Sequence, residues 1–305
     1  MSLLTVGTMA FDSIETPFGK ADKVVGGACT YISWAASYFT GRINLVSIIG
    51  DDFPEEELNL LTERGVDLTG LEIVPGGKSF FWAGKYHYNM ISRDTITTDL
   101  NVLEDFNPIL PQSYRNSEYV MLGNLTPNIQ QQVIDQLDLS KKPFIALDTM
   151  NFWMNLAMDE LLKVISHVDA LIINDEEARQ LSGEFSLISA ARKIHSLGPR
   201  YLIIKRGEHG AFLFFNNQIF YAPGLPLEEV KDPTGAGDTF AGGLMGYLAY
   251  TNDISFDNMK RAIIHGSAMA SFCVEEFGIS NLKNLNYDSI QSRVRQFYNL
   301  VNFEI

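Results

Sequence analysis

The sequence predicts an α/β fold: a mostly parallel sheet covered by helices on both faces, with a small β flap attached. Three observations carry this expectation. Apolar runs rich in β-branched residues alternate with segments of helical period, the last third of the chain turns mostly helical, and one segment follows neither pattern. The strands read as Leu3 to Val6, Asn44 to Ile49, Tyr119 to Leu122, Phe144 to Leu147, Ala170 to Ile173, Tyr201 to Ile204 and Ala211 to Phe215. Between the central ones lie helices. "TPNIQQQVIDQL" has Pro127 near its first turn, "NLAMDELLKVISHV" follows, and "FSLISAARKIHSLG" is stopped by Gly198. That order implies parallel strands joined by right-handed crossovers. After Phe215 the pattern runs from Gly237 through "NMKRAIIHGSAMASFCVEEFG" to "YDSIQSRVRQFYNL" as helices. The exceptional segment, "GGKSFFWAGKYHYNMISRDTITTDLNVL", mixes alternating aromatics with threonine and reads as extra strands of a flap. Regular pairing puts Phe80, Trp82, Gly84, Tyr86 and Tyr88 on one face and Phe81, Ala83, Lys85 and His87 on the other. No repeat or linker divides the chain.

Composition narrows the function. A chain of 305 residues with 46% hydrophobic and 20% charged residues is globular and long enough to bury a substantial core. No apolar run approaches the roughly 20 residues that cross a bilayer. "MSLLTVGTMAFD" has no basic region ahead of an apolar one, which predicts a cytoplasmic protein. Cys29 and Cys273 lack paired spacing and read as buried free thiols. A formal charge of −14 with scattered basic residues argues against a nucleic-acid surface. His87, His167, His195, His209 and His265 show no ligand spacing, so a zinc enzyme is not expected.

The chemistry concentrates in "VKDPTGAGDTFAGG", Val230 to Gly243, where four glycines surround Asp238 at the start of an apolar helix. Gly235, Ala236 and Gly237 let the backbone turn sharply and aim several N–H groups at one point, a nest for an anion. Beyond it Phe240, Leu244, Tyr247 and Leu248 form an apolar stripe, while Ala241, Gly242, Gly243 and Gly246 keep the other sides low for close neighbours. An aspartate beside an anion nest repels what the nest attracts. It makes sense as a general base that takes the proton of an alcohol while the nest stabilises a phosphoryl group in flight. The alternative is a helix-capping charge. "GAGDTF" has Phe240 where a dinucleotide fingerprint needs its third glycine, and no Walker loop or nucleophile elbow is present.

"DPTGAGDTFAGG" closely resembles the C-terminal signature of the PfkB, or ribokinase-like, family of carbohydrate and nucleoside kinases. Other landmarks occur in order: "VGTMAFD" with Asp12, "GGACTYISWAA" with Gly26 and Gly27, "ALDTMNFW" with Asp148 and Asn151, "VDALIINDEEARQL" with Asn174 and Glu177, and "LIIKRGEHGAFLF" with Lys205, Arg206 and Gly207. The resemblance implies a single ribokinase-like three-layer αβα domain over residues 1–305, with a β lid formed by about 12–26 and 72–103. It implies Asp238 as base and the amides of Gly235, Ala236 and Gly237 as anion hole. ATP would meet Asn174, Lys205, Arg206, Gly207, Thr234, Gly235 and Gly237. Magnesium would be held by Glu177 through water, with Asp148 beside it, and a potassium ion near Asp232. The acceptor would contact Asp12, Gly26, Gly27, Tyr31 and Trp82.

Two departures bear on the substrate. Sugar-specific members often carry asparagine shortly after the di-glycine, where this chain has Tyr31, and Pro233 replaces a threonine within the signature. Tyr31 and the flap aromatics suit stacking on a nucleobase or packing on a furanose. The expectation is an ATP-dependent kinase acting on a hydroxymethyl group of a sugar. A nucleoside acceptor is the alternative, and a catalytically silent binding protein on the same fold is a reading of a different class. A homodimer through the lid is also expected.

Overall fold

The computed structural model describes residues 1–302. Its strands are β1 (Leu3–Val6), β2 (Ala10–Thr16), β3 (Gly19–Gly26), β4 (Ile43–Gly50), β5 (Val66–Val74), β6 (Phe80–Tyr86), β7 (Arg93–Asp99), β8 (Tyr119–Leu122), β9 (Phe144–Asp148), β10 (Ala170–Asn174), β11 (Tyr201–Lys205), β12 (Ala211–Phe215) and β13 (Gln218–Ala222). Nine of them form one sheet in the order β13-β12-β11-β10-β9-β8-β1-β4-β5, and four form a second, β3-β2-β6-β7. From β5 to β11 the large sheet is parallel. β12 then returns antiparallel to β11, because the few residues around Gly207–His209 are too short for a crossover.

Each central strand sends alternate residues into two separate cores. Leu3, Leu45, Met121, Ala146, Ile172 and Ile203 enter one, and Leu4, Val46, Val120, Ile145, Leu171 and Leu202 the other. Both faces are therefore covered, and the strands are apolar throughout rather than alternating. The helices are α1 (Ala28–Ala36), α2 (Glu55–Glu63), α3 (Pro127–Gln136), α4 (Asn151–Leu156), α5 (Met158–Ile165), α6 (Asp175–Ser182), α7 (Leu187–His195), α8 (Ala236–Thr251), α9 (Phe256–Cys273), α10 (Ser280–Lys283) and α11 (Tyr287–Val301). α1, α8 and α9 cover the first core, and α3, α5, α6 and α7 the second. The expected single helix before β10 is two, because Ala157 leaves helical geometry at φ −145°. None of the described helices is long and apolar enough to cross a membrane.

The four-stranded sheet is the expected flap, with two adjustments. The chain enters it at Phe80, since residues 72–74 belong to β5 of the large sheet. The β2–β3 hairpin completes it and leads back into α1. In the large sheet β1 lies between β8 and β4, so connections leave it in opposite directions and open a crevice at the carboxyl ends of the strands. The small sheet grows from that same end, out of β1 and β5.

α8 is buried all round from Thr239 to Gly246, held between α1 and α9. A β-carbon at Gly242 would collide with the Ile32 carbonyl of α1, and one at Gly246 would lie 2.7 Å from the Ala36 α-carbon. On the other side Gly243 meets Met269 and Gly266 of α9. The low sides anticipated for this helix are thus two helix–helix contacts. Gly242→Val is expected to lower stability by about 2–3 kcal/mol through overpacking against a backbone that cannot yield. Urea unfolding, with exposed Ser196→Ala as control, measures it, and a change under about 0.5 kcal/mol would mean that α1 and α8 tolerate separation.

Candidate functional site

The segment before α8 ends in Gly235, which adopts φ +73° as the helix N-cap. That left-handed turn favours glycine, and here a β-carbon would also strike the Tyr31 ring. The turn is held from below. Asp232 is fully buried, one carboxylate oxygen accepting from the Thr234 amide at 2.8 Å and the other from the Gly278 amide at 3.1 Å. The Ala236 amide donates back to the Pro233 carbonyl at 3.3 Å, whereas no backbone carbonyl among the described residues takes the amides of Gly235 or Gly237. The expected three-amide hole is therefore reduced: Ala236 closes the turn.

Asp238 lies in the first turn of α8, and its carboxyl is pushed up to about 7. Burial is the main cause, the charge of Asp148 adds to it, and Lys205 opposes it. Lys205, at the end of β11, has its ammonium 3.4 Å from Asp148 Oδ1. A β-carbon at Gly237 would lie 3.0 Å from that nitrogen, so a cation stands against the positive end of α8. Burial works against its charge, but Asp148, Glu177 and Asp238 outweigh burial and keep it protonated. Ammonium and helix end repel each other unless something negative sits between them. The arrangement suits an anionic group.

Glu177 and Asn174 form a capping box at the start of α6: the Glu177 amide donates to Asn174 Oδ1 at 2.8 Å, and the Asn174 amide to Glu177 Oε2 at 2.7 Å. The pair thus serves as the cap of α6. It leaves Glu177 Oε1 with no protein partner among the described residues, in a buried carboxyl raised to about 7 chiefly by burial. A free oxygen on Glu177 and the nearby Asp148 carboxylate are a hard donor set that fits magnesium through water.

Asp12, on β2, is buried, and burial followed by the charges of Asp232 and Asp238 raises it to about 7. Gly26 makes room for it, since a β-carbon there would collide with the Asp12 carboxylate, and Gly27 turns at φ +90° into α1. Asp12 pairs in register with Trp82 on the neighbouring β6, which puts both side chains on one face of the small sheet. Trp82 lies over Gly84 on that face. Tyr86 reaches farther and receives a 3.2 Å hydrogen bond from the Thr234 hydroxyl, tying the lid to the nest.

Three expected site residues stand elsewhere. Tyr31 is 1% exposed, sealed beneath Gly235 with its hydroxyl unpartnered, because tight docking of α1 on α8 directs it under the nest. It cannot stack on an acceptor. Asn151 donates to Gln180 and joins α4 to α6. Arg206 lies over the Phe212 ring, 5.6 Å from its centroid, while exposed Gly207 opens the following turn. Lys205 points into the site and Arg206 away from it. Tyr86 shares the face of Trp82, as the alternation in the flap predicts. Sequence reading passed over Arg93, whose guanidinium lies near both rings.

Similarity to known proteins agrees with this geometry. Residues 17–285 match the pfkB family carbohydrate kinase profile. A cytidine kinase of Thermococcus kodakarensis is 29% identical over 255 residues, covering 81% of this chain and 88% of its own. A nucleoside kinase of Methanocaldococcus jannaschii is 30% identical over 277 residues, 87% of this chain and 83% of its own. Among solved structures, the Burkholderia thailandensis nucleoside kinase in complex with inosine superposes with TM-score 0.77 at 19% identity, covering 98% of this chain and 99% of that one. The fold is theirs, and the sequence match extends through the nest and Asp238. The chain belongs to the pfkB family of carbohydrate kinases and is a phosphotransferase with an alcohol group as acceptor.

Proposed function

We propose that the protein transfers the γ-phosphoryl group of ATP to the hydroxymethyl group of a nucleoside. The observation that carries the transfer is the pairing of a partly buried carboxyl raised to about 7, Asp238, with the Lys205 ammonium across the first turn of α8. Asp238 takes the acceptor's proton, and its pKa near neutrality suits a base that must accept and later release it. The amides of Gly235 and Gly237, with Lys205, meet the charge on the phosphoryl group. Magnesium, when bound, neutralises the β- and γ-phosphates, with Glu177 and Asp148 as the acids that would face it. Asp232, buried with both oxygens on amides and no ion pair among the described residues, is where a potassium ion would lie. Asp12 orients the acceptor's hydroxyls, and Trp82 on the same face offers a ring to its base. That aromatic wall and the nucleoside kinases among the relatives favour a nucleoside over a free sugar. ADP release with MgATP across nucleosides, free sugars and sugar phosphates tests the assignment, and turnover confined to sugars would overturn the nucleoside.

A second copy of the chain meeting this one through the lid belongs to the same reading. Phe18, Tyr88, Ile91 and Ile96 are exposed on the small sheet or its turns, and a small sheet of few strands gains from being covered. Sedimentation as a monomer at micromolar concentration would remove it.

Asp238→Asn is expected to fold, bind ATP and lose about 10² to 10⁴ in kcat. In the wild type the base must be ionised, so kcat/KM should fall below about pH 7 with an apparent pKa near that of Asp238. A flat profile between pH 5.5 and 8 would exclude it as the base. Glu177→Gln keeps the capping box, because glutamine makes the same bond, and removes only the charge. It should raise the half-saturating magnesium concentration roughly 10-fold while acceptor binding stays put. An unchanged magnesium titration would leave Glu177 a helix cap alone. Trp82→Ala should raise the acceptor KM roughly 10-fold with little change for ATP. Movement of the ATP KM alone would put the lid on the other ligand.

A further inference from the structure

At the far end of α8 from the nest, a cavity of about 190 Å³ opens between the end of α1 and helices α8, α9 and α11. Tyr247, in its lining, follows Asp238 along α8 by about 14 Å of helical rise, so this cavity is separate from the crevice at the strand ends. Its wall is aromatic. The His265 ring of α9 stacks on Tyr247, centroids 4.0 Å apart and planes 18° from parallel, and Phe39 stands edge-on to both. Tyr250 and Tyr287, both exposed, flank the mouth.

The polar atoms of this wall are uncommitted. His265 Nδ1 lies 2.8 Å from the Arg261 carbonyl, which can only accept, so Nδ1 carries the proton. Burial lowers the pKa of the ring and keeps it neutral. Nε2 is therefore a lone-pair acceptor, and no donor among the described residues reaches it. Among the same residues the hydroxyls of Tyr247, Tyr250 and Tyr287 and the Gln291 amide also lack hydrogen-bond partners, whereas Tyr38 donates to the Leu282 carbonyl. None of these groups takes part in the phosphoryl transfer.

Shape and chemistry together define an occupant. The acceptor nitrogen calls for an N–H donor, and the rings call for a flat partner with an apolar face. The lining holds no lysine, arginine or carboxylate, so a phosphate or an ammonium would find no counter-charge. Arg261, whose charge reaches the Tyr247 hydroxyl, further disfavours a cation. A cavity of about 150 Å³ holds a benzene ring. The present one admits a six-membered ring with one or two small polar substituents.

We propose that this cavity is a second ligand site, binding an uncharged six-membered heteroaromatic ring, the chemistry of a pyrimidine base, with an N–H donor on His265 Nε2. Such a ring has two sources, a free base or a nucleoside whose ribose stays at the mouth. Cytosine is the probe, because it has no hydroxymethyl group and cannot be an acceptor. Titrated into the full chain with MgADP present, it should shift the His265 Nε2 resonance in nitrogen-15 NMR and bind saturably, with Kd at or below about 1 mM. His265→Phe keeps a ring on Tyr247 and removes the acceptor nitrogen. It should weaken cytosine roughly 10-fold while kcat stays within about 2-fold. Tyr287→Ala should weaken it roughly 3- to 10-fold, and Trp82→Ala should leave it unchanged. Cytidine, titrated into Trp82→Ala, separates the sources: binding that His265→Phe weakens in that background admits the nucleoside, and binding of cytosine without cytidine confines the site to the free base. No saturable binding, binding undiminished by His265→Phe, binding lost in Trp82→Ala, or toluene binding as tightly as cytosine would overturn the proposal. If His265→Phe does not fold, the His265 resonance of the wild type and the loss in Tyr287→Ala decide in its place.

Discussion

The site depends on how closely α8 docks against α1. Gly242 and Gly246 bring the two helix backbones together, and that approach places the Tyr31 ring directly under the turn that starts α8. With the ring there, only glycine fits at position 235, and only a left-handed turn leads into the helix. Asp232 then pins the turn from the opposite side through two backbone amides. Asp238 inherits its position from these contacts. Asp238 is partly buried at the start of the enclosed helix, and that burial is the leading cause that raises its carboxyl to about 7.

The same enclosure concentrates like charges. Asp12, Glu177 and Asp238 are each raised to about 7, with burial as the leading cause in every case. Lys205 is the partly buried cation among them, and it is held charged by the acids it faces. A stable core would not be built this way, because each buried charge forfeits hydration that one ammonium cannot return to all of them. The two apolar cores on either face of the large sheet carry the fold, and the crevice at the strand ends is left free for this arrangement. Polar groups that conflict with one another in the free protein are what a magnesium–phosphate ligand would reconcile.

How much of this was legible in the sequence follows from what each feature depends on. The seven anticipated strands stand where they were expected because both their faces are buried, so local hydrophobicity alone marks them. β3, "GKADKVVG", was invisible to the same test: it is half exposed, lysine-rich and without a steady period. The nest was legible because its chemistry is local, four glycines around Asp238 within a few residues. Tyr31 was misplaced because its surroundings are set by helix docking, not by its neighbours in sequence. Tyr86 meets Thr234 across 148 positions, and nothing in either segment announces the other. Asn174 and Glu177 were legible through the resemblance as ligands, and the geometry makes them a helix cap as well while keeping one carboxylate oxygen free.

The two walls of the cleft are held by forces of very different strength. The lower wall is fixed: helix packing, a left-handed turn, a capping box and a buried ion pair each resist displacement. The lid touches that wall through the bond between the hydroxyls of Thr234 and Tyr86, at 3.2 Å and partly buried, and through Phe11, Val25 and Phe81, which pack on the first core. A neutral hydrogen bond of this kind contributes about 1 kcal/mol, so the apolar contacts hold the lid more than the bond does. Charges that must not move lie on the rigid wall. The groups that would recognise an acceptor, Trp82 and Tyr86, lie on the lid, and Asp12 sits on β2 where the two walls meet, so the acceptor would be gripped from a wall separate from the turn that sets the pKa of Asp238.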